Sequence, residues 1–483
     1  MPGCWTGAEL DHNGRMDLCV TPAVDLARML RSRELSAREL LTAFLDRIDR
    51  INPEINAIVT LAPEQALAAA AAADDAAAGG ARLGPLHGLP IAIKDLAETA
   101  GLRTTFGSPI FAANVPVRDA AYVANLRRAG AIVLGKTNTP EFGAGSQTFN
   151  PIFGATRNPH DRTLTPGGSS GGAAAAVAAG LLPFADGSDL AASVRNPAAF
   201  CNLVGLRTTP GLVPDDLFNP LSVVGPIART PADAALLLAG LCGQDAGLPL
   251  SRPDRPADFL DLRPADLRGL RVAWTPDLGD LAVEPAVTTV LDRARAALED
   301  LGCEVVEDAP ELSDADEVFQ VLRAQLMAAL GPLLKSSRDQ IKETLVWNIE
   351  KGLALTGADL ATALTQRTEI FQRMRAFLGS AGASGFDVLA LPTVQVTPFS
   401  VDVEWVREIN GVPQATYIDW MRSCSRITVT AHPAISVPAG FTPEGLPVGL
   451  QLVGPYGSDL RLLQIAQAFT DQTRQVVRPA SRP

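Results

Sequence analysis

The most distinctive pattern in the chain is TPGGSSGGAAAAVAAG, residues 165–180. Two pairs of glycines enclose Ser169 and Ser170, and an alanine-rich run follows them directly. Glycine permits backbone angles closed to other residues and lets a second group approach the chain closely. The alanine-rich run predicts a buried helix, which puts both serines at its positive N-terminal end. A phosphate-binding loop is disfavoured because no Gly-Lys-Ser/Thr sequence follows.

A third serine lies in the next segment, GSDLAASVRNP, at residues 187–197. Pro197 suits the first turn of a helix, so Ser193 is predicted in a turn just before that helix. Backbone N–H groups point outward at such a place and can bind an oxyanion. Taken alone, the segment is an ordinary junction between a loop and a helix.

A lysine ends the apolar, strand-like run in GLPIAIKD, residues 88–95. An ordinary lysine there would reach solvent. However, only five of the 41 basic residues are lysine, and one of them is Lys94. Arginine keeps its charge, so a position that needs a neutral amine must use lysine. Burial lowers a lysine pKa by up to about 3–5 units and supplies a base near neutrality.

Together these three segments resemble the amidase signature family. The Gly-Gly-Ser-Ser-Gly-Gly core of that family is present at 167–172, and Ser193 follows Ser169 by the usual 24 positions. The resemblance covers about residues 24–472. Further matching segments are GKTNTPEFG (135–143), Asn150, Gly154, Asn158-Pro159, NPAAFCNLVGLRTTPGLVP (196–214), GPIARTPADAALLLAGL (225–241), and PAISVPAGF with LPVGLQLVGP near the end.

The resemblance implies a role for each site residue. Ser193 would be the nucleophile, and neutral Lys94 would be the base that later returns the proton to the leaving amine. Ser169 would relay protons between them, held in a cis peptide that is unusual outside the family. The oxyanion hole would consist of the backbone N–H groups of Leu190, Ala191, Ala192 and Ser193, with Ser170, Asp189 and Arg195 in support.

The chain departs from the family at the two positions before the nucleophile. The usual glycine pair is Ala191-Ala192 here. The backbone donors survive this change. If either position requires positive φ, alanine costs about 1–2 kcal/mol there; if neither does, the two methyl groups reshape the acyl side of the pocket.

The order of elements predicts an α/β fold. Short apolar runs alternate with helical stretches from residue 85 onward, which indicates a mixed, mostly parallel central sheet covered by helices on both faces. Residues 1–483 are expected to form a single amidase domain. Residues 21–60 would be its N-terminal helical segment, with Ser36 and Glu39 as a capping box, and residues 310–380 a helical cap or insertion.

Composition restricts the partners. The net charge of −12 argues against nucleic acid or an anionic membrane. The N-terminus lacks the features of a secretory signal, and no apolar run reaches the roughly 18 residues of a membrane span, so a cytoplasmic location is expected. No cofactor or metal is expected, and homodimer formation stays open. The cysteines lie without any CxxC pair, which argues against a disulfide framework or zinc site: Cys4, Cys19, Cys201, Cys242, Cys303 and Cys424.

The predicted function is hydrolysis of a carbon–nitrogen bond in a small amide, with ester or carbamate (urethane) cleavage as further options. The pocket is expected along residues 144–150, 212–222, 314–350 and 400–426. An apolar or aryl acyl group is favoured because Asp215 and Asp216 are the only charges in LVPDDLFNPLSVVG.

Two other functions are compatible with the sequence. One is the A subunit of a glutamine amidotransferase, which would use the same three catalytic residues. The other is an α/β-hydrolase-type esterase, since Gly-x-Ser-x-Gly is also a nucleophile elbow. That mechanism needs a histidine, for which His432 is the candidate; its ordinary role would be to cap a strand before Pro433.

Overall fold

The computed structural model describes residues 17–215, 218–379 and 385–475, which hold the following elements. The helices are α1 (Ala23–Ser32), α2 (Ala37–Ile55), α3 (Pro63–Ala78), α4 (Ala121–Arg128), α5 (Gly171–Ala178), α6 (Arg195–Phe200), α7 (Pro231–Leu241), α8 (Pro285–Asp300), α9 (Ala315–Ala328), α10 (Gly331–Ser337), α11 (Glu343–Leu353), α12 (Gly357–Phe377), α13 (Arg422–Val429) and α14 (Asp459–Thr473). The strands are β1 (Ile58–Leu61), β2 (Pro90–Lys94), β3 (Ile132–Thr137), β4 (Phe149–Asn150), β5 (Gly154–Ala155), β6 (Phe184–Asp189), β7 (Val204–Arg207), β8 (Val223–Ala228), β9 (Arg271–Trp274), β10 (Glu304–Glu307), β11 (Val388–Pro392), β12 (Glu408–Ile409), β13 (Val412–Pro413), β14 (Ala434–Phe441) and β15 (Pro447–Val453).

A large mixed sheet flanked by helices forms the centre of the fold, which confirms the predicted α/β class. Its strand order is β10-β9-β11-β15-β14-β7-β8-β6. Helices α6 and α8 both pack against β14 and β15, and α7 packs against β8. A smaller sheet, β1-β3-β2, carries Lys94 at the end of β2.

The strand directions correct the expectation of a mostly parallel sheet. Strands β10, β9 and β11 pair in parallel. The remaining pairings, from β11 through β15, β14, β7 and β8 to β6, are antiparallel. A parallel neighbour needs a crossover of a dozen or more residues, usually a helix. The short turn from β14 to β15 cannot provide one, so these two strands form a hairpin.

Local predictions around the glycine-rich stretch agree with the structure. Helix α5 begins at Gly171, and its residues from Gly171 to Val177 are buried. Helix α6 begins at Arg195 with Pro197 in its first turn, so Ser193 precedes a helix as predicted. Both serine-bearing turns therefore lie at the start of a buried helix.

The two predicted helical regions are also helical in the structure. At the N-terminus, the Ser36 hydroxyl accepts from the Glu39 amide and the Glu39 carboxylate accepts from the Ser36 amide, which confirms the capping box. Helices α9 to α12 fill most of the 310–380 region. In the part of the chain that is described, no helix is long and apolar enough to cross a membrane.

Candidate active site

The ends of two strands bring the predicted site residues together. Strand β2 of the small sheet contacts β6 of the large sheet. The Lys94 amide donates to Asp186 Oδ1 at 3.1 Å, which ties the two sheets at this point. The turn between β6 and α6 contains Ser193, and the turn before α5 contains Ser169 and Ser170.

Lys94 lies at the centre of a cluster of serine hydroxyl groups. Its Nζ is 2.8 Å from Ser169 Oγ, 2.8 Å from Ser170 Oγ and 3.0 Å from Ser188 Oγ. The side chain is only 1% exposed. A neutral amine has one lone pair, so it can accept a proton from one of these hydroxyls while it donates to the others.

Burial gives this lysine the character that the sequence predicts. It lowers the pKa of Lys94 from 10.5 to about 7, although the charges of Asp186 and Asp189 act in the opposite direction. A substantial neutral fraction is therefore present at neutral pH, which an unperturbed lysine would lack.

The glycines around Ser169 have steric reasons to be glycine. The Gly168–Ser169 peptide is cis, and Gly167 has a φ of 75°, in the left-handed region. A Cβ atom on Gly172 would lie 2.4 Å from the backbone nitrogen of Asn138. Side chains at these positions would displace the turn that carries Ser169.

Ser193 lies against the glycine-rich turn, with the Ser170 amide donating to its carbonyl oxygen at 3.1 Å. The residue is 7% exposed. Within the described ranges, neither its hydroxyl nor the amides of Leu190, Ala191, Ala192 and Ser193 take part in a hydrogen bond. These four amides are therefore available as hydrogen-bond donors, and the oxyanion hole expected at this turn stays a prediction.

A buried ion pair shapes the turn before Ser193. Arg195 Nη2 is 2.9 Å from Asp189 Oδ1, and Arg207 Nη1 is 3.6 Å from the same oxygen. Burial acts to raise the pKa of the Asp189 carboxyl, but the two arginines lower it to about 2. Arg195 also donates to the Ala191 carbonyl at 2.8 Å. Asp189 and Arg195 thus hold both ends of the segment that supplies the free amides.

The alanine pair adopts ordinary backbone angles. Neither Ala191 nor Ala192 is among the residues with positive φ. Both side chains are buried. Of the two consequences that the sequence allows, backbone strain from positive φ is therefore absent at these two positions.

Two site residues were missed by the sequence analysis. Ser188 contacts Lys94 Nζ, and Asp186 accepts from the Lys94 amide and from the Tyr122 hydroxyl at 2.9 Å. Both are polar residues in strand β6, two positions apart. Because side chains alternate along a strand, this spacing puts them on one face and could have revealed them.

The histidine that a nucleophile-elbow mechanism would require does not contact the serines of the glycine-rich turn. His432 Nδ1 is 2.8 Å from the Thr430 carbonyl oxygen, within its own turn before Pro433. Across the described residues its Nε2 has no hydrogen-bond partner. His432 therefore makes no contact with Ser169 or Ser170 that would activate either of them.

Two cavities have walls that include residues from the regions expected to form the pocket, but neither cavity is lined by Lys94, Ser169 or Ser193. One, of about 570 Å³, includes Phe149, Lys342 and Glu404. The other, of about 450 Å³, includes Phe218 and Leu322 and is mostly apolar. Asp216, one of the two charges considered above, lies outside the described residues, as does Cys4.

The described ranges hold cysteines as free thiols and no cluster of metal-ligating side chains. No group of three or more histidine, cysteine or acidic side chains there is placed to hold a metal ion. Cys19, Cys201, Cys242, Cys303 and Cys424 are all buried free thiols.

The chain is similar to known proteins over most of its length. A family model described as Amidase matches residues 39–463. The chain is 38% identical over 465 residues to an acylamidase of Rhodococcus erythropolis, covering 95% of each chain. It is 35% identical over 494 residues to the A subunit of glutamyl-tRNA(Gln) amidotransferase from Moorella thermoacetica, covering 95% of this chain and 98% of that one. A solved bacterial aryl acylamidase of the amidase signature family superposes with a TM-score of 0.87 at 28% identity, covering 96% of this chain and 99% of that chain.

Proposed function

The chain belongs to the amidase signature family and is an amidohydrolase, and we propose that it cleaves small apolar or aryl amides through an acyl-enzyme on Ser193. The observation that carries the proposal is the 2.8 Å contact between the buried Lys94 amine and Ser169 Oγ. We further propose that the enzyme is cytoplasmic and needs no cofactor.

Acylation would begin with attack of Ser193 Oγ on the carbonyl carbon of the amide. The Ser193 proton passes to Ser169 Oγ, while the Ser169 proton passes to the lone pair of Lys94 Nζ. The carbonyl oxygen becomes an oxyanion, which the free amides of residues 190–193 stabilise.

Collapse of this intermediate requires a proton on the leaving nitrogen. The Lys94 ammonium returns its proton through Ser169 to that nitrogen, and the amine departs. Asp186 and Asp189 favour the transient ammonium because both of their charges act to raise the Lys94 pKa. Water then attacks the acyl ester by the same relay, which releases the acid and restores Ser193.

The acyl group is proposed to be apolar or aryl. The composition of residues 212–225 supports this choice, because Asp215 and Asp216 are the only charges there. The similarity to an acylamidase and to an aryl acylamidase also supports it. Aryl esters and carbamates are proposed as further substrates because the same acylation step handles them.

A substrate panel tests this function. We expect acyl anilides, aryl esters and aryl carbamates to be hydrolysed, with kcat/KM for the best anilide at least about tenfold above that for glutamine. The measurement is steady-state release of aniline, phenol or ammonia by the isolated chain. Absence of turnover for every anilide, in protein shown to be folded, would contradict the proposal.

The second candidate function is that of the A subunit of an amidotransferase, and the 35% identity to such a protein favours it. Its hydrolysis of glutamine would release ammonia for transfer by a partner. In the panel above, a preference for glutamine over the anilides would select this function.

Activity should rise with pH through the pKa of Lys94. Because the neutral amine is the base, protonation below pH 7 removes it, and kcat/KM should fall by about tenfold per pH unit there. Above pH 8 the profile should be flat. A kcat/KM profile for one uncharged anilide measures this; constant activity from pH 5 to 8 would contradict the role of Lys94 as base.

A further inference from the structure

A buried guanidinium in the helical region has only neutral hydrogen-bond partners. Arg323 of α9 is 4% exposed. It donates to the Tyr417 hydroxyl at 2.8 Å and to Asn348 Oδ1 at 2.5 Å. Its guanidinium carbon lies 5.9 Å from the centre of the Trp347 ring. No acidic side chain forms an ion pair with it anywhere in residues 17–215, 218–379 or 385–475.

Two other buried arginines of this chain have carboxylate partners. Arg195 pairs with Asp189, and Arg426 pairs with Asp280 and Asp316. In contrast, burial lowers the pKa of the Arg323 guanidinium, opposed only by Tyr417. Since a buried charge is costly without a counter-ion, Arg323 needs an explanation.

The hydrogen bonds around Tyr417 leave one donor unused. Arginine can only donate, so the oxygen of Asn348 must face Arg323, and its amide nitrogen must face Tyr417 at 2.7 Å. The Tyr417 oxygen therefore accepts two hydrogen bonds and has no lone pair left. Its own hydrogen has no acceptor among the residues that are described, although Tyr417 is only 8% exposed. Two accepted hydrogen bonds polarise this O–H and strengthen it as a donor.

The cluster of Arg323, Asn348 and Tyr417 is connected to the active site. Four residues after Tyr417, the sulfur of Met421 accepts a hydrogen bond from Ser146. The backbone of Ser146 lies directly against Gly168, the residue before Ser169. Tyr417 therefore lies four residues along the chain from a side chain that contacts the segment packed against the catalytic turn.

We propose that Tyr417, backed by the charge of Arg323, binds a carboxylate that the substrate carries away from its scissile amide. The proposal rests on the function proposed above. It narrows the substrate class to amides that have an apolar or aryl body and a carboxylate at one end. The carboxylate accepts the unused Tyr417 hydrogen and supplies the negative charge that Arg323 lacks. A charge-assisted hydrogen bond of this kind is stronger than one between neutral groups.

Ligand binding to the Ser193→Ala protein tests the proposal without any need for turnover. The probes are 4-acetamidobenzoate and acetanilide, which differ only in the carboxylate, and calorimetry gives each Kd. We expect the acid to bind at least about tenfold more tightly. Adding Tyr417→Phe should abolish this preference, whereas Tyr456→Phe, the same change at an exposed tyrosine, should keep it.

A second variant distinguishes a loss of the binding preference from a failure of the protein to fold. Asn348→Asp has nearly the same shape, gives Arg323 an internal carboxylate and offers an acceptor to Tyr417, so it should fold and lose the preference for the acid. Equal binding of the two probes, no binding of the acid, or a preference that survives both variants would overturn the proposal. Failure of amide hydrolysis in the wild-type chain would instead count against the proposed function, because these binding constants do not depend on it.

Discussion

Replacing Ser193 by alanine should lower kcat for anilide hydrolysis by about 10⁴-fold or more, the scale on which serine hydrolases respond to loss of their nucleophile. The hydroxyl is the atom that would form the acyl-enzyme, and the four free amides beside it cannot replace it. The matched control is Ser336→Ala, at an exposed position of α10, which should keep wild-type rates.

The outcome for Ser193→Ala separates the proposed mechanism from the nucleophile elbow. Rates are to be measured on protein with an unchanged thermal unfolding midpoint. A folded Ser193→Ala enzyme that retains most of its activity would mean that Ser169 or Ser170 attacks the substrate.

Lys94→Arg should be as damaging as Lys94→Ala, with each lowering kcat for anilides by about 10²–10⁴-fold. Arginine keeps the positive charge but cannot lose its proton, so it cannot accept one from Ser169. The kcat for ester hydrolysis should fall less, because an alkoxide or phenoxide can leave without a returned proton more easily than an amine can.

Parallel rate measurements on an anilide and its ester analogue check this second prediction. Lys351→Arg, at an exposed lysine of α11, is the control and should be fully active. Near-normal anilide rates in folded Lys94→Arg would show that the site needs a cation rather than a base, and the proton relay would be wrong.

The local parts of the site could be predicted from sequence because their signals are local. The glycine pattern around Ser169, the alanine run of α5 and the proline after Ser193 each determine a turn or helix within a few residues. The low abundance of lysine pointed to Lys94, and its burial in β2 follows from the apolar run that precedes it.

The structural features that could not be predicted from the sequence depend on contacts between distant segments. Strand direction in the large sheet is set by which strands become neighbours, and β14 pairs with β7 from more than 200 positions away. Two of the hydrogen-bond partners of Arg195 likewise lie more than 200 positions away along the chain, Thr428 and Gln451. No periodicity near Arg195 contains that information, since both partners reach it only through the folded topology.

The cluster of Arg323, Asn348 and Tyr417 could not be predicted from the sequence either. Its members come from α9, α11 and the loop before α13, and none belongs to a recognisable motif. Only the donor and acceptor count of the folded arrangement shows that Tyr417 has an unused hydrogen. The side chains that would select the substrate were therefore harder to predict than those that would perform the chemistry.

Covalent labelling tests the central claim most directly. The wild-type chain is treated with a fluorophosphonate, digested, and analysed by mass spectrometry to locate the modified residue. The proposed mechanism predicts a single label on Ser193, formed faster as the pH rises through 7 and lost in Ser193→Ala. A label on Ser169 or Ser170 that persists in Ser193→Ala would contradict it.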